Sequence, residues 1–152
     1  MTEATDPIVV TVVVDASPAN AFDAFTQDIA AWWPLDPYSM SGGVLTLEPW
    51  DGGRILETAA DGTVHHWGGI TDWRKASRVV IDWHVGRTPE EATRVSVDFE
   101  ATDDGRTAVT LTQDGWDKLG DAALDMRTRN DAGWRDILGN HFAPHASRST
   151  ER

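Results

Sequence analysis

The sequence contains no cysteine. That absence excludes disulfides, thiolate nucleophiles and every cysteine-based metal or iron–sulfur centre, and it suits a reducing compartment. Positive charge is also scarce: 13 lysines and arginines stand against 25 aspartates and glutamates, a net charge of −12. Such a surface repels phosphate backbones and anionic headgroups, so neither nucleic acid nor a membrane is an expected partner. No stretch offers the roughly twenty unbroken apolar residues of a membrane span. Residues 1–7 are polar and acidic, without the basic start and apolar centre of a signal peptide, so the expected location is the cytoplasm. The glycine-rich loops that cradle nucleotide phosphates are missing, and no serine sits in a Gly-x-Ser-x-Gly elbow. No cofactor is expected.

Tryptophan is abundant instead, with eight against a single tyrosine, and such rings either fill a core or line a cavity. A length of 152 residues suits one domain, with an ordered core over about 8–142 and flexible termini. Residues 8–14 form a β-branched run that reads as a buried strand. Ser17-Pro18 supplies an N-cap and a first-turn proline, and Phe22, Phe25 and Ile29 follow at helical spacing until Trp32-Trp33-Pro34 closes the segment. From 41 to 113 the pattern changes to short extended runs between glycine turns, about six strands in meander. Val95, Val97 and Phe99 alternate and face Val109 and Leu111 across the Asp104-Gly105 turn, which predicts a hairpin with one apolar side. Trp67 and Trp73 share the parity of His65, and this parity is expected to point inward. Residues 118–142 return to helical spacing, with Leu119, Ala123, Met126, Trp134, Ile137 and Leu138 on one side. About twenty helical residues reach roughly 30 Å, enough to cross the sheet. Pro144 is expected to end this helix and to leave a frayed tail from Ala146. The class is therefore α+β: a curved antiparallel sheet of about six to seven strands around a long C-terminal helix, with short helices after the first strand.

A resemblance adds to this reading. Its residues are Ser17-Pro18 with Ala21-Phe22-Asp23-Ala24-Phe25-Thr26, Trp32-Trp33-Pro34, Gly52-Gly53-Arg54 with Glu57, Asp61-Gly62 before Trp67-Gly68, Asp82-Trp83, Thr110-Leu111 before Gly115-Trp116, and Gly133-Trp134 with Ile137-Leu138. In this order the chain resembles the START-like, Bet v 1-like (SRPBCC) superfamily, and within it the bacterial single-domain homologues of the Hsp90 ATPase activator. The resemblance implies a helix-grip fold and, for many relatives, a cavity for lipids, polyketides or other hydrophobic molecules. It carries over no activity, because one fold hosts many functions.

Several residues are candidates for chemistry. Glu57 shares the parity of Ile55, and inside a cavity desolvation would raise its pKa and suit it to acid–base work; otherwise it is a solvated or core-edge carboxylate. His65, on the tryptophan parity, could hydrogen-bond a ligand or be structural. Its neighbour His66 points to the opposite face, so the pair is a poor chelate, and Pro144 interrupts the i, i+4 pair His141 and His145; no metal site is expected. Asn130 falls on the apolar stripe of the last helix, where its amide needs a ligand group, a sheet loop or a water. Gln113 adds a polar group at the same end, and Gly133 permits close approach to the sheet. With these, Trp33, Trp67, Trp83, Val97, Phe99, Met126 and Trp134 complete the candidate ligand-binding set, each of the tryptophans being equally readable as core. The leading expectation is a monomer or homodimer that binds an apolar small molecule. The alternatives are a cyclase or dehydratase using Glu57, His65 or Gln113 on a carbonyl, and a co-chaperone-like interaction domain.

Overall fold

A computed structural model describes residues 6–149; the parts of the expected polar start and frayed end that fall on 1–5 and 150–152 lie outside the described residues. The first strand, β1 (Ile8–Val14), leads into helices α1 (Pro18–Thr26) and α2 (Ile29–Trp32). Ser17 caps α1 by accepting the Asn20 N–H on its hydroxyl at 3.1 Å, with Pro18 in the first turn. Ser17→Ala is therefore expected to lower stability by about 1 kcal/mol, read as a Tm drop of roughly 2–4 °C in a thermal melt. Trp33, preceding Pro34, takes extended geometry and stops α2.

Six further strands follow: β2 (Val44–Leu47), β3 (Arg54–Thr58), β4 (Val64–Arg74), β5 (Arg78–Trp83), β6 (Thr93–Ala101) and β7 (Thr107–Asp114). They pair antiparallel in the order β1-β7-β6-β5-β4-β3-β2, so the first strand closes onto the last. The expected hairpin is present with Val97 opposite Leu111 and Phe99 opposite Val109. β4 carries two irregularities. Its pairing to β3 jumps from Ile55↔Gly68 to Leu56↔His66, leaving Trp67 unpaired, and its pairing to β5 skips Thr71. Bulges bend a strand and re-aim side chains, and these two help curl the sheet. They also reset the alternation, so Trp67, Ile70 and Trp73 all reach the inner side.

After β7 a 3₁₀ stretch, Trp116–Ala122, is broken at Gly120, whose φ of 56° suits glycine. The last helix therefore begins at Ala123, five residues later than its spacing predicts: α3 (Ala123–Asp136) passes through a π-helical turn (Ile137–Phe142) into α4 (Ala143–Ser149). Pro144 does not end it. The Ala143 N–H bonds the Leu138 carbonyl, an i→i−5 contact, and this wider turn accommodates the proline ring that would clash in a regular α-helix. Nor is the segment after it frayed: Ala146 is buried, and the Ser147 hydroxyl accepts the Asp15 N–H at 3.0 Å.

The core fills one end of the sheet. Phe22 meets Trp73 at 4.9 Å and Phe99 at 5.2 Å between ring centroids, and Phe142 meets Phe25 at 5.4 Å and Trp32 at 5.2 Å. Among the described residues no helix is long and apolar enough to cross a membrane.

Candidate ligand cavity

At the other end, helix and sheet part to leave a cavity of about 520 Å³. Its floor is a cluster of four indoles drawn from three elements and the loop after α2. Trp33 stands where α2 breaks, Trp67 in the β4 bulge, Trp83 at the end of β5 and Trp134 on α3. Trp33 lies 5.3, 5.9 and 5.8 Å from Trp67, Trp83 and Trp134, and Trp83 lies 5.8 and 5.2 Å from Trp67 and Trp134. Tilted and edge-to-face rings at such distances attract one another and hold a rigid apolar surface. Met126, Asn130 and Gly133 of α3 supply a wall at helical spacing. The rim is charged, with Arg87 paired to Glu91 at 2.8 Å and Arg129 to Asp125 at 3.2 Å.

The polar groups near the floor are largely engaged with one another. Gln113, almost fully buried, accepts the Trp134 indole N–H at 2.7 Å and donates to the Thr93 hydroxyl at 2.8 Å. Its backbone carbonyl takes the Trp116 indole N–H at 3.1 Å. Trp33 donates to the Tyr38 carbonyl at 2.7 Å. The tyrosine ring lies against Gly133, where an added Cβ would come within 3.3 Å of it, and its hydroxyl donates to Asp136 at 3.1 Å. Burial, then the Asp136 contact, push the Tyr38 phenol up.

Glu57 points inward as its parity predicts, but it is not a cavity acid. Its carboxylate accepts the backbone N–H groups of Met40 (2.8 Å), Ser41 (2.6 Å) and Gly43 (3.2 Å), the Ser41 hydroxyl (2.5 Å) and the Trp67 indole N–H (3.1 Å). Burial would raise its pKa; the donors from Ser41, Met40 and Gly43 outweigh that and lower it to about 2. The expected upward shift is thus reversed, because the carboxylate's surroundings are hydrogen-bond donors rather than hydrocarbon. Glu57 fastens the loop 34–43 over one side of the cavity. Gly43 is required there, since a Cβ would stand 2.1 Å from the Thr58 carbonyl oxygen.

Seven sequence candidates meet in the cavity wall: Trp33, Trp67, Trp83, Gln113, Met126, Asn130 and Trp134. Four do not. Glu57 is the loop anchor. His65, half-exposed, lies with His66 and His84 along a separate surface groove. Val97 and Phe99 are buried in the filled end, Phe99 between Phe22 and Phe25. The Asn130 amide is not fully buried either, and it donates to the Met126 carbonyl one turn back at 2.7 Å, a local partner that the stripe argument did not include. His141 and His145 approach different carboxylates, Asp136 and Asp28. Sequence reasoning missed Tyr38, Thr93 and Trp116. For Trp116 a signal existed, an indole directly after a strand and a turn glycine; Tyr38 sits in a loop without periodicity and gave none.

A seven-stranded antiparallel sheet curled around a long C-terminal helix, with an open volume between them, is the START-like, Bet v 1-like architecture. Within that superfamily the chain belongs to the family described as Activator of Hsp90 ATPase homolog 1-like protein, whose model matches residues 15–145. Among curated proteins nothing matches the chain. Among solved structures it is similar to CalC, a self-sacrificing resistance protein from Micromonospora echinospora, at 24% identity and TM-score 0.73 over 99% of each chain. It is 30% identical to Txn09, an anthrahydroquino-γ-pyrone synthase, with TM-score 0.59 over 86% of this chain and 90% of that one. The Aha1 dimer from Colwellia psychrerythraea is 21% identical, with TM-score 0.62 over 89% and 92%.

Proposed function

We propose that this protein binds one hydrophobic small molecule, of lipid, polyketide or similar character, in the cavity between the sheet and α3. The observation that carries the reading is the indole floor: four large rings bound an open volume of about 520 Å³, and three of their N–H groups are consumed inside the protein, leaving apolar faces toward the space. That volume falls in the range of small-molecule sites, and rigid aromatic walls with few polar groups suit an apolar guest. The charged rim stays in water while the guest leaves it.

An enzyme of the cyclase or dehydratase kind in the same cavity is the second reading, supported by the 30% identity to a synthase. It has lost its first two candidate groups, since Glu57 holds a loop and His65 faces another groove, while Gln113 already bonds two neighbours. Binding is therefore the better supported role.

Native mass spectrometry checks it. Incubated with fatty acids and with neutral tricyclic and tetracyclic aromatics, the protein is expected to take up one equivalent of at least one class. No uptake from either class, and no copurifying mass, would contradict the proposal.

A further inference from the structure

Of the five indoles that border the cavity, Trp33, Trp67, Trp116 and Trp134 donate their N–H groups to protein acceptors. Trp83 is the exception. Among the described residues nothing accepts its N–H, and the nitrogen is not sealed from solvent. Its ring is nonetheless fixed, packed at 5.2–5.9 Å against three other indoles. Its backbone is held as well: the Trp83 carbonyl accepts the Thr93 hydroxyl, which itself accepts from Gln113. A donor held this firmly in an apolar wall has lost little freedom still to be lost on binding, the condition under which one hydrogen bond discriminates between guests.

We infer that Trp83 is a specificity-determining residue, and that the cavity prefers a flat, apolar ring system carrying a ketone-type acceptor over the same ring system without one. The inference rests on the cavity-binding reading above. Flatness follows from the floor, whose tilted indole faces and edges match planar rings. The acceptor follows from a donor without a partner among the described residues on a ring that lines the cavity: wherever a guest covers that N–H without offering an acceptor, it goes unpaired, which costs free energy that an acceptor restores. The apolar remainder follows from the engagement of the other floor groups, since Gln113, Thr93 and the remaining indoles already have partners.

The test uses two neutral tricyclic probes of nearly equal shape, fluorenone and fluorene, titrated into the full chain and into Trp83→Phe. Both affinities are expected to fall with the smaller ring, and fluorenone affinity about fivefold further than fluorene affinity, the fold-change of one ordinary hydrogen bond. Equal losses for both probes would make Trp83 a packing residue and overturn the inference, as would no loss for either. In the wild-type protein the carbonyl stretch of bound fluorenone is expected at lower frequency than in hydrocarbon solvent; an unshifted band overturns the inference without any variant. If neither probe binds the wild-type chain, the inferred preference for flat ring systems is overturned, and the cavity-binding reading falls with it only where fatty acids also fail to bind.

Discussion

Glu57→Gln is expected to cost about 3 kcal/mol of stability and to lower Tm by roughly 6–12 °C. The side chain is fully buried and its two oxygens receive three backbone N–H groups, a hydroxyl and an indole N–H. An amide of the same size replaces one acceptor oxygen by an NH₂ group that faces N–H donors, so donors on both sides go unpaired in a place water does not reach. The same site sets a pH dependence. Its folded pKa of about 2 lies below the 4.5 of the free group, so its stabilisation is complete above about 4.5 and is lost as pH falls toward 2. Urea melts at pH 7 and pH 3 check both statements: the wild-type chain should lose more stability than the variant between them. Equal stability of the two proteins at pH 7 would remove Glu57 from its role as loop anchor.

Asn130→Trp is expected to weaken binding of a neutral apolar probe at least about tenfold while moving Tm by less than about 4 °C. Residue 130 lies on the wall of α3, in line with Met126, Gly133 and Ile137, so a ring placed there occupies volume a guest needs. The change leaves little behind unpaired. Among the described residues the Asn130 side chain bonds only the carbonyl of Met126, which the helix ladder also satisfies, and tryptophan and asparagine have similar helix propensities. Fluorescence titration with N-phenyl-1-naphthylamine reads the affinity; the −12 net charge makes a neutral probe preferable to an anionic one. Unchanged affinity would place the probe elsewhere on the protein.

These expectations come from side chains that the sequence made legible to different degrees. Alternation predicts the β6–β7 hairpin and its inner row, and helical spacing puts Met126, Asn130 and Trp134 on one side, as the structure has them. Parity alone could not reveal the β4 bulges, because one extra residue at Trp67 changes what lies opposite without changing composition. Nor could side-chain patterning show that Glu57 is cradled by the backbone of residues 40–43, although the run Ser39-Met40-Ser41-Gly42-Gly43 has the small residues that such a cradle needs. Pro144 misled because the rule that proline ends a helix assumes regular i→i−4 bonding, which the π turn suspends. Val97 and Phe99 were assigned to the cavity because strand alternation identifies the inner face and not the position along it where packing stops.

The central claim is that the space above the indole floor, and no other surface, receives the guest. Eight indole N–H signals report on it in a single nitrogen-resolved NMR spectrum of the full chain. On addition of N-phenyl-1-naphthylamine the account predicts shifts at Trp33, Trp67, Trp83, Trp116 and Trp134, with Trp50, which is 55% exposed, and Trp73, packed on Phe22, left in place. Shifts confined to Trp50 or Trp73, or none at saturating probe, would contradict it.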